Sequence, residues 1–160
     1  MQISGRIWRD GTMWLAESEI VDVCTQGRSK KDVLAMLADA FETLIDDPKV
    51  KISVAESDRS GGVTIESSKP AVLAAFVLQR LRLRSGRSLS QVAESMGRAS
   101  KNAYARYEQG EAIPTLEKFE ELLRAVSDDI TLIIGPRKGI QKAGRGRARR
   151  TTQRRGVSGR

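Results

Sequence analysis

The prevailing spacing of apolar residues changes along this chain at Ser67-Ser68-Lys69-Pro70. Before it, apolar residues recur mostly at every second position in short runs, with one stretch of helical spacing among them. After it, they recur at every third or fourth. A period of two puts side chains on alternate faces of a strand, and a period near 3.6 puts them on one stripe of a helix. A chain of 160 residues with that change is bounded to one or two small domains, a strand-rich unit followed by a helical one. The polar, helix-breaking stretch at 67–70 reads as the linker between them.

In the first unit, Ile3, Ile7, Met13 and Leu15 belong to two alternating runs. Asp10-Gly11 between them is a strong hairpin signal. Residues 20–25 predict a third strand, ended by Gly27. Ser29 then caps a helix whose apolar residues are Val33, Leu37, Ala40, Phe41, Leu44 and Ile45, and Pro48 ends it. Residues 51–55 alternate again, and after Gly61-Gly62 the run Val63–Ile65 is expected as an edge strand. The fold class expected is α+β. An N-terminal βββαβ domain covers 1–66 and a linker covers 67–70. An all-α helix-turn-helix domain covers 71–127.

The helical unit opens after Pro70 with core positions Leu73, Val77, Leu78 and Leu81, and with Arg80, Arg82 and Arg84 outside. Ser88 and Gln91 match a capping box at the start of a short helix. Gly97 makes a turn, Ser100 caps the next helix, and Pro114-Thr115 opens a last one, with Leu116, Phe119, Leu122, Leu123 and Val126 on one face. Residues 128–135 hold a short, very apolar run expected to be a strand. An unpaired apolar strand recruits another chain, so this one is expected to support a homodimer or higher homo-oligomer. Residues 136–160 are rich in Gly, Arg and Ser and are expected to form a disordered basic tail.

Several chemistries are excluded by what the chain lacks. It has no histidine, which removes imidazole bases, Ser-His dyads and histidine metal sites. A single cysteine, Cys24, permits neither an internal disulfide nor a cysteine zinc cluster, and it is expected as a small core residue. No run approaches the roughly 20 apolar residues of a membrane span, and no leader is visible, so a cytoplasmic, nucleoid-associated protein without a cofactor is expected. The net charge of +8 is uneven. Residues 1–69 hold 9 basic and 12 acidic side chains, 70–135 hold 9 and 8, and 136–160 hold 10 and none. The tail therefore carries the basicity, and it is expected to add phosphate affinity that falls steeply with salt.

The stretch SKNAYARYEQG, residues 100–110, carries both tyrosines of the chain, Tyr104 and Tyr107, one helical turn apart. If they turn inward, Lys101, Asn102, Ala103 and Arg106 are left outside. Those residue types suit base edges: Lys and Arg toward guanine, Asn toward adenine, an alanine methyl toward thymine. Ser100, Ser88 and Gln91 at the two helix starts join them as candidate DNA-binding residues, since helix-start amides favour phosphate. A plain helical bundle with a solvated face is the competing account. Residues 78–126, and above all the Y-E-Q-G-x-x-x-P-x-L run at 107–116, resemble the lambda-repressor-like helix-turn-helix domain. In that family the matching positions face the DNA groove. This chain differs in two places: the interval after Gly97 is one residue longer than usual, and Leu89 stands where a glutamine usually opens the second helix.

The first unit also carries a resemblance. Ala16-Glu17, then Cys24-Thr25-Gln26-Gly27, then Ser29 at a helix start, are similar to the signature of HicB-type antitoxins, although the usual Pro and Gly before the cysteine are absent. That likeness implies a truncated RNase H-like fold, a small basic ribonuclease toxin as partner, and operator DNA as the second ligand. The acidic balance of 1–69 suits such a partner. The function expected is therefore an antitoxin of a type II toxin–antitoxin pair that represses its own operon, and not an enzyme. The alternative is a stand-alone helix-turn-helix transcriptional regulator with an N-terminal sensing or dimerisation domain. The acids Asp10, Glu17 and Asp22 are too scattered to hold Mg²⁺ for a nuclease. Of Trp8 and Trp14, one is expected in the core and the other at a partner surface.

Overall fold

The computed structural model describes residues 1–97 and 100–133. Its elements are β1 (Gln2–Asp10), β2 (Met13–Ser18), β3 (Val23–Gly27), α1 (Lys30–Ile45), β4 (Ile52–Glu56), β5 (Gly62–Ser67), α2 (Pro70–Arg84), α3 (Leu89–Ser95), α4 (Lys101–Glu108) and α5 (Leu116–Val126). The fold class is α+β, a five-stranded antiparallel sheet followed by helices. The strand order is β3-β2-β1-β5-β4. The run Val63–Ile65, expected at an edge, is therefore inside the sheet, and β4 is the edge strand. Its burial is that of an interior strand: Val63, Thr64 and Ile65 are three consecutive buried residues, with β1 on one side and β4 on the other.

The hairpin loop lies one residue later than expected. Asp10 still pairs with Met13, and the loop is Gly11-Thr12, with φ +56° at Gly11. The third strand starts at Val23 rather than Ile20. Asp22 takes a left-handed conformation (φ 57°), which turns the chain and frees Ile20 and Val21 from the ladder. Aspartate tolerates that region better than most residues, because its short polar side chain bonds locally.

One sheet face is covered by α1. Ser29 caps this helix by accepting the Asp32 amide at 3.1 Å, and Val33, Leu37 and Phe41, spaced four apart, are fully buried against Ile3, Ile7, Ala16, Val23, Val63 and Ile65. Leu44 lies beyond the stripe and is exposed. Gly27 sets how closely α1 approaches: a Cβ there would stand 2.6 Å from the Val33 nitrogen. The opposite face carries Arg6, Trp8, Met13, Leu15, Glu17, Cys24 and Gln26, all half-buried or exposed. The register thus separates the tryptophans. Trp14 packs with the core under the Lys30 ammonium, whereas Trp8 stays on the open face with the Arg6 guanidinium 5.0 Å from its ring. It also overturns the expectation for Cys24, which pairs with Glu17 on the open face and is exposed.

Helix α2 is apolar nearly all round, and it is buried accordingly. Leu73, Ala75, Phe76, Val77, Leu78 and Leu81 are all buried. Phe76 meets Phe41 with ring centroids 5.6 Å apart, while other faces of α2 pack on β5, α4 and α5. One hydrophobic cluster therefore runs from Ile3 to Val126. The arginines expected outside are bonded inward. Arg80 donates to the carbonyls of Val21 (2.9 Å) and Asp22 (3.2 Å), and Arg84 donates to that of Glu19 (2.7 Å). They clasp the β2–β3 turn to the end of α2.

The strand expected within 128–135 does not form among the described residues. Residues 130–133 belong to no ladder; Ile130 and Leu132 lean back on the core, and Thr131 and Ile133 face outward. Neither edge strand of the sheet, β3 or β4, pairs with this run, which leaves it without a ladder among the described residues. Residues 134–135 and the tail at 136–160 lie outside the described residues. Because Phe76 is buried against Phe41, Phe76→Ala is expected to cost about 3–5 kcal/mol. Both tryptophans report the sheet and far-ultraviolet dichroism reports the helices. The expected result is that both signals lose stability together, at one shared denaturation midpoint.

Candidate nucleic-acid interface

Two short helices joined at a glycine form the candidate interface. Ser88 and Gln91 make the capping box at the start of α3: the Ser88 hydroxyl accepts the Gln91 amide at 3.2 Å, and the Gln91 side-chain oxygen accepts the Ser88 amide at 2.8 Å. Val92 and Ala93 are buried, so the small alanine lets neighbouring helices approach. Gly97 follows with φ +77°, a left-handed turn that a side chain would strain. Residues 98–99 lie outside the described residues. Ser100 caps α4 by accepting the Ala103 amide at 3.1 Å.

The phase of α4 is set by its tyrosines. Tyr104 is 1% exposed and Tyr107 is half-buried against the core. Lys101, Asn102, Ala103 and Arg106 are all exposed. Lys101 has no carboxylate partner among the described residues. Arg106 pairs with Glu111 at 3.5 Å with both side chains about 60% exposed, a contact worth little and easily exchanged. The seven candidate residues fall into two groups. Lys101, Asn102, Ala103 and Arg106 lie along α4, while Ser88, Gln91 and Ser100 spend side-chain hydrogen bonds on their own helix starts. The cap takes the Ala103 amide, but the amides of Lys101 and Asn102 have no acceptor within the helix, so those two remain able to bond an anion.

What holds α4 in place escaped the sequence reading. Arg82, at the end of α2, forms a two-pronged ion pair with Glu108, at the end of α4. Its Nε lies 2.7 Å from one carboxylate oxygen and its Nη2 2.8 Å from the other. The two side chains are only 13% and 5% exposed. The pair raises the Arg82 pKa, chiefly through the hydrogen bond to Glu108. Arg82 also donates to the Arg87 carbonyl at 3.2 Å, and Arg87 donates to the Ala125 carbonyl at 2.5 Å, which ties α2 and α5 to the loop that leads into α3. The only available signal was the glutamate in the Y-E-Q-G run, an acid following a buried tyrosine by four residues. Tyr104 lies beside this pair. Burial first, and then the nearby Glu108 carboxylate, push its phenol well above the ordinary 10.0, and no partner satisfies its hydroxyl in hydrogen-bond geometry.

No group of three potential metal ligands assembles among the described residues. Asp10, Glu17 and Asp22 are dispersed: a hairpin end, an ion pair with Arg6, and a turn. No described helix is long and apolar enough to cross a membrane. With this geometry in hand, the likeness to known proteins has a physical counterpart. Residues 73–127 match the family model described as helix-turn-helix domain, a stretch that runs from the first turn of α2 through the end of α5. No curated protein matches the chain.

Two outcomes test the interior of this unit. Glu108→Ala leaves a buried guanidinium without its partner and is expected to cost about 3–5 kcal/mol, whereas replacing both members with Met and Leu recovers most of it; urea unfolding of the three chains measures this. Because the folded state holds the Tyr104 proton more tightly than the unfolded one, that contribution is constant below the phenol's ordinary 10.0 and is lost as pH rises above it. Tyr104→Phe is therefore expected to flatten the alkaline loss of stability, with little change at neutral pH.

Proposed function

We propose that this chain is a sequence-specific DNA-binding transcriptional repressor that lays α4 in the major groove, and that its N-terminal unit binds and neutralises a small basic ribonuclease. The single observation that carries the first part is the phase of α4. Its tyrosines turn inward, and Lys101, Asn102, Ala103 and Arg106 turn outward together at the start of a capped helix. Lys101 and Arg106 reach guanine acceptors, Asn102 pairs with adenine, and the Ala103 methyl meets thymine. Ser100, Ser88 and Gln91 approach the phosphate backbone, which positions the helix without reading sequence. The match of 73–127 to a helix-turn-helix family supports this reading.

Support for the second part is of a different kind. The Ala16-Glu17 and Cys24–Gly27 runs resemble the antitoxin signature, and they lie opposite one another on β2 and β3. The open sheet face presents Trp8 and Leu15 without a covering helix. Aromatic side chains in such positions anchor protein interfaces. The excess of acid in residues 1–69 favours a basic partner through complementary charge. A protein of this kind needs no catalytic group and no cofactor. It silences its partner by covering it and silences its operon by occupying the operator.

Lys101→Ala and Arg106→Ala are each expected to cost about 1–3 kcal/mol of specific DNA binding. Titration against DNA selected from upstream of the gene, with scrambled DNA as the reference, measures the loss. Partner capture by either variant is expected to equal that of the wild type. Unchanged operator affinity in both would remove α4 as the reading element. Co-expression with the product of the adjacent gene, followed by capture, tests the ribonuclease partner: a small basic protein retained by wild type and lost in Trp8→Ala is the expected outcome.

A further inference from the structure

We propose that the groove between the sheet, α2 and α5 binds a small neutral amphiphile, a molecule with an apolar body and one uncharged hydrogen-bonding head such as an alcohol or an amide. This goes beyond DNA reading and does not depend on it, since no residue of α4 lines the groove among the described residues. The groove is open, with a volume of about 920 Å³. That is the size of a small-molecule site, and such sites favour the junction of two structural units. Val77 of α2, Phe119 and Leu123 of α5, and Ile130 and Leu132 beyond it form its apolar wall.

The floor supplies the polar contact. Ser4 of β1 stands opposite Thr64 of β5, and both line the groove. Val63 and Ile65 are buried in the core with α1, so alternation along the strand turns the Thr64 side chain to the groove side. Thr64 is only 5% exposed, and its hydroxyl has no hydrogen-bond partner. The strands on both sides of β5 take up its backbone groups in the ladder. A buried hydroxyl without a partner is costly, and the side from which one can reach it is the groove. Charge at the rim decides the head. Asp58 and Glu66 line the groove, and no Lys or Arg side chain does among the described residues. Asp58 stays ionised at neutral pH, because hydrogen bonds from the Ser60 hydroxyl and the Gly62 amide hold its pKa down to about 2. An acidic head would meet like charge there, which selects against a fatty acid. A cation gains little, since Glu66 accepts from Gln2 at 2.9 Å and Asp58 is engaged within its own turn.

Fluorescence of the neutral probe phenylnaphthylamine, titrated with the folded full-length chain, tests this. Saturable enhancement is expected, reversed by decanol. Decanol is expected to compete roughly tenfold better than decanoate, whose head is charged. Thr64→Val keeps the shape and removes the hydroxyl; it is expected to weaken decanol roughly fivefold. Its circular dichroism is expected to be unchanged and its Tm equal or higher, because the hydroxyl it removes has no partner in the protein. Ser4→Phe, at an exposed position on the floor, and Leu132→Trp, on the opposite wall, are each expected to abolish probe binding. The second keeps the test decisive if the first does not fold. The proposal is overturned by a wild type that shows no saturable enhancement, the result for a groove that holds only water. It is equally overturned if decanoate competes as well as decanol, if Thr64→Val binds decanol as wild type does, or if the folded blocking variants still bind the probe.

Discussion

Helix α2 has almost no surface to give to water, and the arrangement of everything else follows from that. Its side chains Leu73, Phe76, Val77, Leu78 and Leu81 point in several directions around the axis, and each direction has been met by a different element. Phe41 of α1 and the strand β5 lie on one side, and α4 and α5 lie on others. A helix that is apolar all round cannot be stable at the surface, so the sheet and the later helices must both close over it. This is why only two residues separate β5 from α2: the strand leads straight into the shared interior. It is also why the arginines on α2 serve the fold. Their stems cross apolar surface and their heads bond the 19–22 turn or Glu108.

That use of arginine restricts where polyanions can be met. Residues 70–135 are nearly balanced in charge, and Arg80, Arg82, Arg84 and Arg87 are engaged with carbonyls or with a carboxylate. The cations that α4 presents outward are Lys101 and Arg106. With so few of them, the face gains little from charge alone and must gain from geometry. The caps at Ser88, Ser100 and Thr115 matter for that reason. Each satisfies an amide that would otherwise need water, and together they fix the helix starts from which the exposed side chains project.

Much of this was legible in the sequence, and the misses share a cause. Strand and helix periods placed the elements, since period and face are local properties. The caps were legible because Ser followed by Gln at the right spacing has few other uses. The inward turn of Tyr104 was legible from a one-turn spacing. What local pattern cannot supply is what lies across from a residue. The burial of β5, the exposure of Cys24 and the choice between Trp8 and Trp14 all depend on strand register and order, which are long-range facts. The Arg82–Glu108 pair joins residues 26 positions apart, and a charged residue near a helix end reads as solvated unless its partner is known. Residues 130–133 were legible as apolar, but pairing is a long-range fact, and they join no ladder among the described residues.

The same packing decides how the sheet and α4 can influence each other. A route exists in the structure: the 19–22 turn is held by Arg80 and Arg84 on α2, and α2 is held to α4 by Arg82 and Glu108. Every link is a short hydrogen bond or a close-packed contact, and such interiors shift between discrete arrangements more readily than they stretch. A partner on the open sheet face would therefore alter DNA binding only by favouring a different seating of the 19–22 turn against α2. If its contacts with the sheet leave that turn unchanged, the buried ion pair keeps α4 where it is, and the two surfaces act independently.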